Sequence, residues 1–411
     1  MQSLLFKADC FPLMSKNQEW TDRGKKVVMN TYGRYPLAFV KGEGMYLWDS
    51  DGKKYLDFVA GIAVNALGHS DAEWASELSK QLQTLQHTSN LYWIPPQVEL
   101  AEMLVQNSGF HKVFFCNSGA EAMEASIKLA KKYSYSKYGE KRNGIITMMN
   151  SFHGRTMATI TMTGQTKYQK GFNPLYPEVS YVPYNDLEAL KKAVNENTCA
   201  IVLEIIQGEG GIRPATKEFV HGVRNLCDEK DILMIVDEVQ TGVGRTGKLF
   251  AHQLYEVQPD IMGLAKGLGG GIPIGAMLAV DKVAEVFQPG DHASTFGGNY
   301  IATVAGKVVL ERLLKGGLLK HVEEMGHYLT QKLNELKARK TTIVDVRGHG
   351  LIQGIEISEA AGLAKDLVNK GIEKGLLLVA AGDRVIRFVP PLIAEKIHVD
   401  EMISILEQIV N

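Results

Sequence analysis

The sequence predicts an α/β protein, with a mostly parallel β-sheet in a large domain and a smaller α+β domain after it. Short apolar runs recur between residues 112 and 280, and several of them alternate with segments of helical periodicity. Strands that are apolar on both faces and alternate with helices are typical of a parallel sheet covered on both sides. From about Ile301 the alternation changes to one long amphipathic pattern. The length of 411 residues also exceeds what a single domain usually holds.

The N-terminal part predicts a β-hairpin. Two apolar runs, Met45–Trp48 and Tyr55–Phe58, flank the pair Asp51-Gly52. An Asp-Gly pair between two such runs is typical of a tight hairpin turn. We expect residues 1–60 to form an N-terminal segment that packs with the small domain.

The central part predicts the sheet of a large domain over residues 61–300. Its seven strands are expected at Lys112–Cys116, Gly144–Met149, Val179–Val182, Ala200–Ile205, Ile232–Val236, Ile261–Leu264 and Gly275–Val280. Helices are expected at Ala120–Tyr138, Asp186–Val194 and Lys217–Lys230. The small domain would then cover residues 301–411 and begin with one long helix that runs to Lys340.

Composition argues against several classes of protein. The 45 Lys and Arg residues against 46 Asp and Glu residues create no sequence-wide basic field for nucleic acid or an anionic membrane. No segment approaches the ~20 apolar residues that span a bilayer. The start is a poor signal peptide, and Met14 is an alternative to Met1 as the first residue. The four cysteines form no C-x-x-C pair, so we expect no zinc, no disulfide framework and a cytoplasmic setting.

The loops after the predicted strands are the expected place of chemistry, because ligands of such sheets bind outside the carboxyl ends of the strands. Each of these loops carries functional side chains or glycine. They are Asn117–Ala120, Ser151–Arg155, Gln207–Gly211, Asp237–Gln240 and Ala265–Gly267.

The segment Gly242–Lys248 matches two nucleotide-binding patterns, G-x-x-x-x-G-K and G-x-G-x-x-G. Its context disagrees with both of them. Leu249 stands where the first pattern needs a hydroxyl for Mg²⁺, and Asp237-Glu238 lie on the strand that leads into the loop. For the second pattern, Asp260 comes before the ~20-residue offset of the acidic residue. A P-loop or Rossmann nucleotide-binding protein is the alternative from a different class, and this context argues against it.

Lys266 and Asp237 point to pyridoxal phosphate. Lys266 lies between an apolar strand and a glycine-rich turn, where desolvation would lower its pKa and make the amine nucleophilic. Asp237 ends a buried strand and needs a cationic partner, which the ring nitrogen of this cofactor supplies. Taken singly, each residue also fits a bland interpretation, a snorkelling loop lysine and a capping aspartate.

A phosphate site and a ring-stacking residue would complete the arrangement. Ser118, Gly119 and Ala120 lie between a strand and a long helix, whose first amides can bind a dianion. Phe152 follows the next strand and could stack on a flat ring. An ordinary serine cap and a core phenylalanine remain the alternatives.

Together with their neighbours, these residues resemble class III pyridoxal-phosphate aminotransferases over nearly the whole chain. The matching stretches include NSGAEAMEASIKLA, SFHGRT, QGEGGI, DEVQTGVGRTG, LAKGLGGGIPIGA, TFGGN and RFVPPL. The resemblance implies a type I aminotransferase fold, bound pyridoxal 5'-phosphate and a homodimer with shared active sites. It also makes Gly242–Lys248 part of the family's aspartate motif.

The resemblance implies a role for each matching residue. Lys266 would be the Schiff-base lysine, and Asp237 the partner of the pyridinium. The remaining cofactor contacts would be Gln240 at the ring hydroxyl, Phe152 on the ring, Ser118, Gly119 and Ala120 at the phosphate, and Thr295 from the neighbouring subunit.

The substrate residues are likewise implied by the resemblance. Arg155, aided by Tyr32, would bind the distant carboxylate, and Arg387 the α-carboxylate of glutamate, with Glu209 as its removable partner. Within the class the implied reaction moves the δ-amino group of N-acetylornithine to 2-oxoglutarate, in arginine biosynthesis. Ornithine, 4-aminobutyrate, succinylornithine and succinyl-diaminopimelate remain alternative donors.

Two positions depart from the family's pattern. Ile205 follows Glu204, and Tyr300 follows TFGGN, where proline is usual in the family. Tyr300 could alter the wall of the pocket on the dimer side.

Overall fold

The computed structural model describes residues 15–410. Its first elements are α1 (Lys16–Val27) and the antiparallel strands β1 (Phe39–Glu43), β2 (Tyr46–Asp49) and β3 (Lys54–Asp57). The turn at Asp51-Gly52 joins β2 to β3, with Leu47 opposite Tyr55, which confirms the predicted hairpin. Gly52 has φ +89°, a left-handed conformation that glycine adopts without steric cost.

A seven-stranded sheet lies at the centre of the protein, as predicted. Its members are β4 (Lys112–Cys116), β5 (Gly144–Met148), β6 (Val179–Val182), β7 (Thr198–Glu204), β10 (Leu233–Asp237), β11 (Ile261–Leu264) and β12 (Gly275–Ala279). Between β7 and β10 lies a separate short ladder, β8 (Ile206–Gln207) with β9 (Arg213–Pro214).

The spatial order of the sheet is β4-β12-β11-β10-β7-β5-β6. All neighbours are parallel except β12, which runs antiparallel to both β4 and β11. The adjacent strands β7 and β10 are buried along their whole length, and their register places Glu204 beside Asp237. The carboxyl ends of the parallel strands therefore bring several loops to one edge.

Helices cover the sheet and join its strands. Those up to β12 are α2 (Ala60–Ala63), α3 (Ala72–Thr84), α4 (Pro95–Gln106), α5 (Gly119–Tyr138), α6 (Met157–Met162), α7 (Thr166–Gln169), α8 (Leu187–Ala193) and α9 (Lys217–Lys230). Those after it are α10 (Asp281–Ala284), α11 (Tyr300–Lys315), α12 (Leu318–Arg339), α13 (Ala364–Glu373) and α14 (Lys396–Ile409).

The prediction of one long helix to Lys340 was wrong, because two helices occupy that stretch. The break falls at Gly316-Gly317, where Gly317 has φ +71°. A left-handed residue cannot continue a right-handed helix, and glycine tolerates this conformation readily.

The C-terminal part forms a second, antiparallel sheet. Its strands are β13 (Ile343–His349), β14 (Ile352–Ile357), β16 (Val379–Ala380) and β17 (Val385–Phe388), in the order β13-β14-β17-β16. The intervening strand β15 (Leu376–Leu377) instead pairs in parallel with β3, so the N-terminal hairpin is joined to this region. The division into residues 1–60, 61–300 and 301–411 stays a prediction.

Two global properties hold for residues 15–410. No helix among them is both long and apolar enough to cross a membrane. That part of the chain also contains no cluster of three His, Cys, Asp or Glu side chains suited to a metal ion.

Candidate active site

A cavity of about 420 Å³ lies at the carboxyl ends of the parallel strands. All five loops that the sequence indicated contribute to its wall. The predicted residues that line it are Ser118, Gly119, Ala120, Phe152, Arg155, Glu209, Asp237, Gln240 and Lys266. The sheet thus brings together side chains that are far apart in the sequence.

Lys266 enters the cavity directly after β11. It begins a short 3₁₀ turn and has φ +44°, an uncommon conformation for a residue with a side chain. Burial lowers the pKa of its amine, and the positive charge of Arg387 acts in the same direction, although Glu209 and Asp237 oppose them. The neutral, nucleophilic form of the amine is therefore more accessible than in an exposed lysine.

Asp237, the last residue of β10, is fixed by a buried network. Its Oδ1 accepts a hydrogen bond from the amide of Val239 at 3.0 Å, and its Oδ2 lies 2.8 Å from Nδ1 of His153. The Nε2 of His153 lies 3.2 Å from the hydroxyl of Thr147, which donates in turn to the carbonyl of Met162. Both imidazole nitrogens therefore serve as donors, and this stabilises a cationic ring.

The pKa of His153 agrees with that geometry. Burial lowers it, but the hydrogen bond and the negative charge of Asp237 outweigh burial and raise it overall. A protonated His153 supplies the compensating charge that the buried carboxyl group of Asp237 needs. Held in this way at the cavity wall, Asp237 is suited to bind a protonated ring nitrogen.

The N-terminus of α5 forms the opposite end of the site. Ser118 is the N-cap, and its hydroxyl accepts from the amide of Glu121 at 3.2 Å. The preceding amides of the first turn have no intrahelical acceptor, and with the helix dipole they favour a dianion. A Cβ atom on Gly119 would lie 2.7 Å from Cγ1 of Val239, so only glycine permits this close approach.

Phe152 and Arg155 share one aromatic neighbour. The ring of Phe152 meets Tyr168 edge to face, with centroids 5.8 Å apart. The guanidinium of Arg155 lies 4.0 Å from the centroid of the same Tyr168 ring. Tyr168 therefore orients the arginine that the resemblance assigns to a substrate carboxylate.

Arg387, on β17, is almost fully buried behind the cavity wall, with 1% of its side chain exposed. Its Nη1 donates to Oε1 of Glu209 at 2.6 Å and to Oε1 of Gln240 at 2.9 Å. Burial raises the pKa of Glu209, but the charge and hydrogen bond of Arg387 lower it overall. The ionised pair that the motif implied is therefore present, and the placement of Gln240 at a ring hydroxyl stays a prediction.

Two predicted residues lie away from this cavity. Tyr32 is 69% exposed, lines a separate groove beside α1 and has its ring 5.0 Å from the guanidinium of Arg34. The structure therefore places Tyr32 outside the cavity of its own chain, and its expected help to Arg155 stays a prediction. Thr295 is exposed in the loop between α10 and α11, and its role in a neighbouring subunit stays a prediction.

Sequence reasoning assigned no role to four residues that contact functional side chains of this site: His153, Tyr168, Glu204 and Val239. His153 and Val239 adjoin the indicated residues Phe152 and Gln240, so proximity was an available signal for them. Tyr168 and Glu204 gave no local signal of a role, since their contacts depend on the tertiary structure.

The segment Gly242–Lys248 does not form a phosphate loop. The next element is a short 3₁₀ turn at Ala251–Leu254, not the α-helix that a phosphate loop would need. Its Arg245 is buried and donates hydrogen bonds to the carbonyls of Leu351 and Pro390. Through these hydrogen bonds the segment, which follows the loop of Asp237, contacts the C-terminal part of the chain.

Comparison with known proteins settles the family. The model of the family "Aminotransferase class-III" matches residues 27–410. The chain is a class III aminotransferase. It is therefore a pyridoxal-phosphate-dependent enzyme that transfers amino groups between amino acids and keto acids.

Individual relatives of this aminotransferase agree. The chain is 54% identical to the acetylornithine aminotransferase of Caldanaerobacter subterraneus subsp. tengcongensis, over 94% of this chain and 98% of the relative. It is 48% identical to the enzyme of the same name from Methanocaldococcus jannaschii, over 95% of this chain and 98% of that one.

Solved structures show the same fold. The ornithine aminotransferase from Toxoplasma gondii ME49 superposes with a TM-score of 0.92 at 30% identity, over 97% of this chain and 96% of that chain. The N-acetylornithine aminotransferase from Stenotrophomonas maltophilia K279a gives a TM-score of 0.81 at 38% identity, over 92% and 96%. The type I aminotransferase fold is thereby confirmed.

The side chains of the cavity fit the cofactor of this family. A buried amine of lowered pKa, an aspartate paired with a histidine and a helix N-terminus are the groups that its carbonyl, ring nitrogen and phosphate require. Lys266, Asp237 and Ser118–Ala120 would hold these three parts.

Proposed function

We propose that this aminotransferase transfers the δ-amino group of N-acetyl-L-ornithine to 2-oxoglutarate. The products are N-acetyl-L-glutamate 5-semialdehyde and L-glutamate, a reaction of arginine biosynthesis. The observation that carries the proposal is the pair of arginines around one cavity: Arg155 at its rim, and Arg387 behind it, covered by Glu209. Relatives named acetylornithine aminotransferase support the choice of substrate.

The two arginines separate the carboxylates of the two substrates. Arg155 is positioned to bind the carboxylate far from the reacting amine, by two parallel hydrogen bonds. N-Acetylornithine carries no carboxylate beside that amine, so Glu209 stays on Arg387 while it reacts. Glutamate and 2-oxoglutarate carry a second carboxylate there, and it takes the place of Glu209 on Arg387.

The other side chains serve both half-reactions. When bound, pyridoxal phosphate supplies an electron sink for the negative charge that develops on the substrate carbon. Lys266 would hold the cofactor covalently, and its amine is suited to move a proton at the reacting carbon of the substrate. His153 holds the carboxyl group of Asp237 in place through their 2.8 Å contact.

We propose that the enzyme is a homodimer with shared sites. Leu91, Tyr92 and Trp93 expose 86%, 69% and 88% of their surfaces, and Phe296, next to Thr295, exposes 61%. The two segments form one surface, because Asn90 donates hydrogen bonds to the carbonyls of Ser294 and Gly297. An exposed aromatic patch of this kind is typical of a protein interface.

A second copy over this patch would bring Thr295 to the neighbouring phosphate site. The replacement Trp93→Asp should therefore give monomers with weakened cofactor binding. Sedimentation velocity and cofactor titration of the same preparation measure both effects. A stable Trp93→Asp dimer would contradict this placement of the interface.

We also propose a cytoplasmic setting. The three cysteines among residues 15–410, Cys116, Cys199 and Cys227, are free and buried. Free thiols are typical of proteins from reducing compartments. Fractionation of the native host, with this protein followed by antibody, tests the assignment.

The substrate proposal is tested by single-turnover spectroscopy of the cofactor-loaded enzyme with one amino donor at a time. The donors are N-acetylornithine, ornithine, 4-aminobutyrate, succinylornithine and succinyl-diaminopimelate. We expect the visible absorption of the bound cofactor to disappear fastest with N-acetylornithine and to return with 2-oxoglutarate. A faster change with another donor would replace the substrate and leave the class intact. Lys266→Ala is the matched control, which should show no such cycle.

A further inference from the structure

Glu204 is a buried carboxylate that lines the cavity and that the roles above leave unexplained. One oxygen, Oε2, accepts a hydrogen bond from the amide of Phe152 at 3.1 Å. The other, Oε1, accepts from the amide of Gly208 at 3.2 Å. A single side chain at the end of β7 thus ties together the loop that carries Phe152 and the loop that carries Glu209.

The surroundings of Glu204 make the ionised form of this carboxylate energetically unfavourable. Burial raises its pKa to about 7, and the charge of the neighbouring Asp237 adds to the effect. His153 and the two backbone amides act in the opposite direction and favour the ionised form. Its own carbonyl accepts from the hydroxyl of Tyr184 at 2.7 Å, which fixes the strand end.

The loop that bears Glu209 is closely packed on both sides. A Cβ atom on Gly208 would lie 2.6 Å from Oε1 of Gln240, and one on Gly210 would lie 2.5 Å from the carbonyl oxygen of Asn150. The backbone on either side of Glu209 therefore lies in close contact with Gln240 and Asn150. The Glu204 bond to Gly208 fastens the beginning of the same loop.

We propose that Glu204 is a positioning residue that holds the Phe152 and Glu209 loops in one fixed relation. Glu209 then covers and uncovers Arg387 by rotation of its side chain alone, over an unmoving backbone. This inference rests on the proposed function, since it requires one substrate that leaves the Glu209–Arg387 pair closed and another that opens it. Glu204 reaches Arg387 only through the loop, so its effect is on substrate choice.

The replacement Glu204→Gln tests this. The amide oxygen can still accept from one backbone amide, but the NH₂ group then faces the other donor, and one loop is released. Loss of a charge-assisted hydrogen bond corresponds to roughly 10- to 100-fold in an equilibrium constant. We expect the preference for N-acetylornithine over glutamate, as the ratio of their kcat/KM values in holoenzyme half-reactions, to fall by at least about tenfold at a pH above about 7, where Glu204 is ionised.

Asp260→Asn is the matched control. Asp260 is a buried carboxylate at the other end of the same sheet, and it accepts from the amide of Met234 at 2.9 Å and from Arg224 at 2.8 Å. Its replacement removes a comparable charge and hydrogen bond, so the melting temperature should fall while the substrate ratio stays at the wild-type value.

A double variant separates positioning from general damage. Glu209→Ala should abolish the preference by itself, and Glu204→Gln added to Glu209→Ala should then change the ratio little, because both act on one switch. Glu204→Asp, which keeps the charge but is too short to reach both amides, should also lower the ratio and serves where Glu204→Gln does not fold.

Each other result has a definite meaning. A wild-type ratio in Glu204→Gln, or an equal fall in Asp260→Asn, overturns the role of Glu204. An additive effect in the double variant does the same. Failure of the wild-type enzyme to react with N-acetylornithine overturns the proposed substrate instead, and the ratio is then measured with whichever ω-amino donor reacts.

Discussion

Removal of the Glu209 carboxylate is the most direct perturbation of substrate choice. In the structure the carboxylate of Glu209 lies 2.6 Å from Nη1 of Arg387 and neutralises its charge. The same Nη1 also donates a hydrogen bond to the uncharged oxygen of Gln240. An incoming glutamate must displace Glu209 before its α-carboxylate can bind. Glu209→Ala removes this competition, so we expect glutamate to gain relative to N-acetylornithine.

The magnitude follows from the geometry. A short hydrogen bond between charged groups contributes about 1.5–3 kcal/mol. Since about 1.4 kcal/mol is a factor of ten, the ratio of kcat/KM for glutamate to that for N-acetylornithine should rise roughly 10- to 100-fold. The gain should appear mainly as a lower KM for glutamate, because the α-carboxylate is bound before the chemical step.

Stopped-flow half-reactions of the holoenzyme with each donor measure this ratio. Glu407→Ala is a charge-matched control, because Glu407 forms an ion pair with Arg339 on the surface, away from the cavity. An unchanged ratio in Glu209→Ala, or a shift toward N-acetylornithine, would refute the reasoning that Glu209 competes with the substrate carboxylate.

Three further predictions concern the residues that sequence reasoning missed. His153→Asn removes the cation that compensates Asp237, so kcat should fall roughly tenfold with both donors; equal activity would show that Asp237 needs no such partner. Tyr168→Ala should raise KM about 2- to 5-fold for both substrates through the loss of the ring beneath Arg155, whereas Tyr168→Phe should not, and steady-state kinetics of the two variants decide this. Burial raises the pKa of Glu204 from 4.5 to about 7, so the folded enzyme binds a proton there that the unfolded chain has already released. The cofactor-free enzyme should therefore lose stability as pH rises through that window, and urea unfolding should show a weaker pH dependence in Glu204→Gln.

The sequence alone was sufficient to predict the sheet and the five loops that line the cavity. The strands of an α/β sheet are short and apolar on both faces, so each strand can be located from its own residues. Once the strands are located, the ligand-binding loops that follow them are located too. Lys266, Asp237 and the Ser118 loop carry chemistry that few other arrangements need. Each of them alone also fits a structural interpretation, so it was their combination that indicated the cofactor.

The sequence prediction failed at the boundary between α11 and α12, because the apolar pattern of the two helices is continuous there. The amphipathic pattern from Ile301 to Lys340 continues across Gly316-Gly317, and apolar periodicity does not report the left-handed turn that ends α11. Tyr32 lies in a separate groove beside α1, and its help to Arg155 stays a prediction.

Only the tertiary structure decided how the loops act on one another. Glu204 ends β7 and Asp237 ends β10, 33 residues further along the chain, and the register of two parallel strands is what sets them side by side. His153 reaches Asp237, and Glu204 reaches Phe152 and Gly208, through hydrogen bonds between loops that are adjacent only at the edge of the sheet. Residue type determines which chemistry is available, whereas distance and burial determine which residues carry it out, and these depend on contacts that no local pattern encodes.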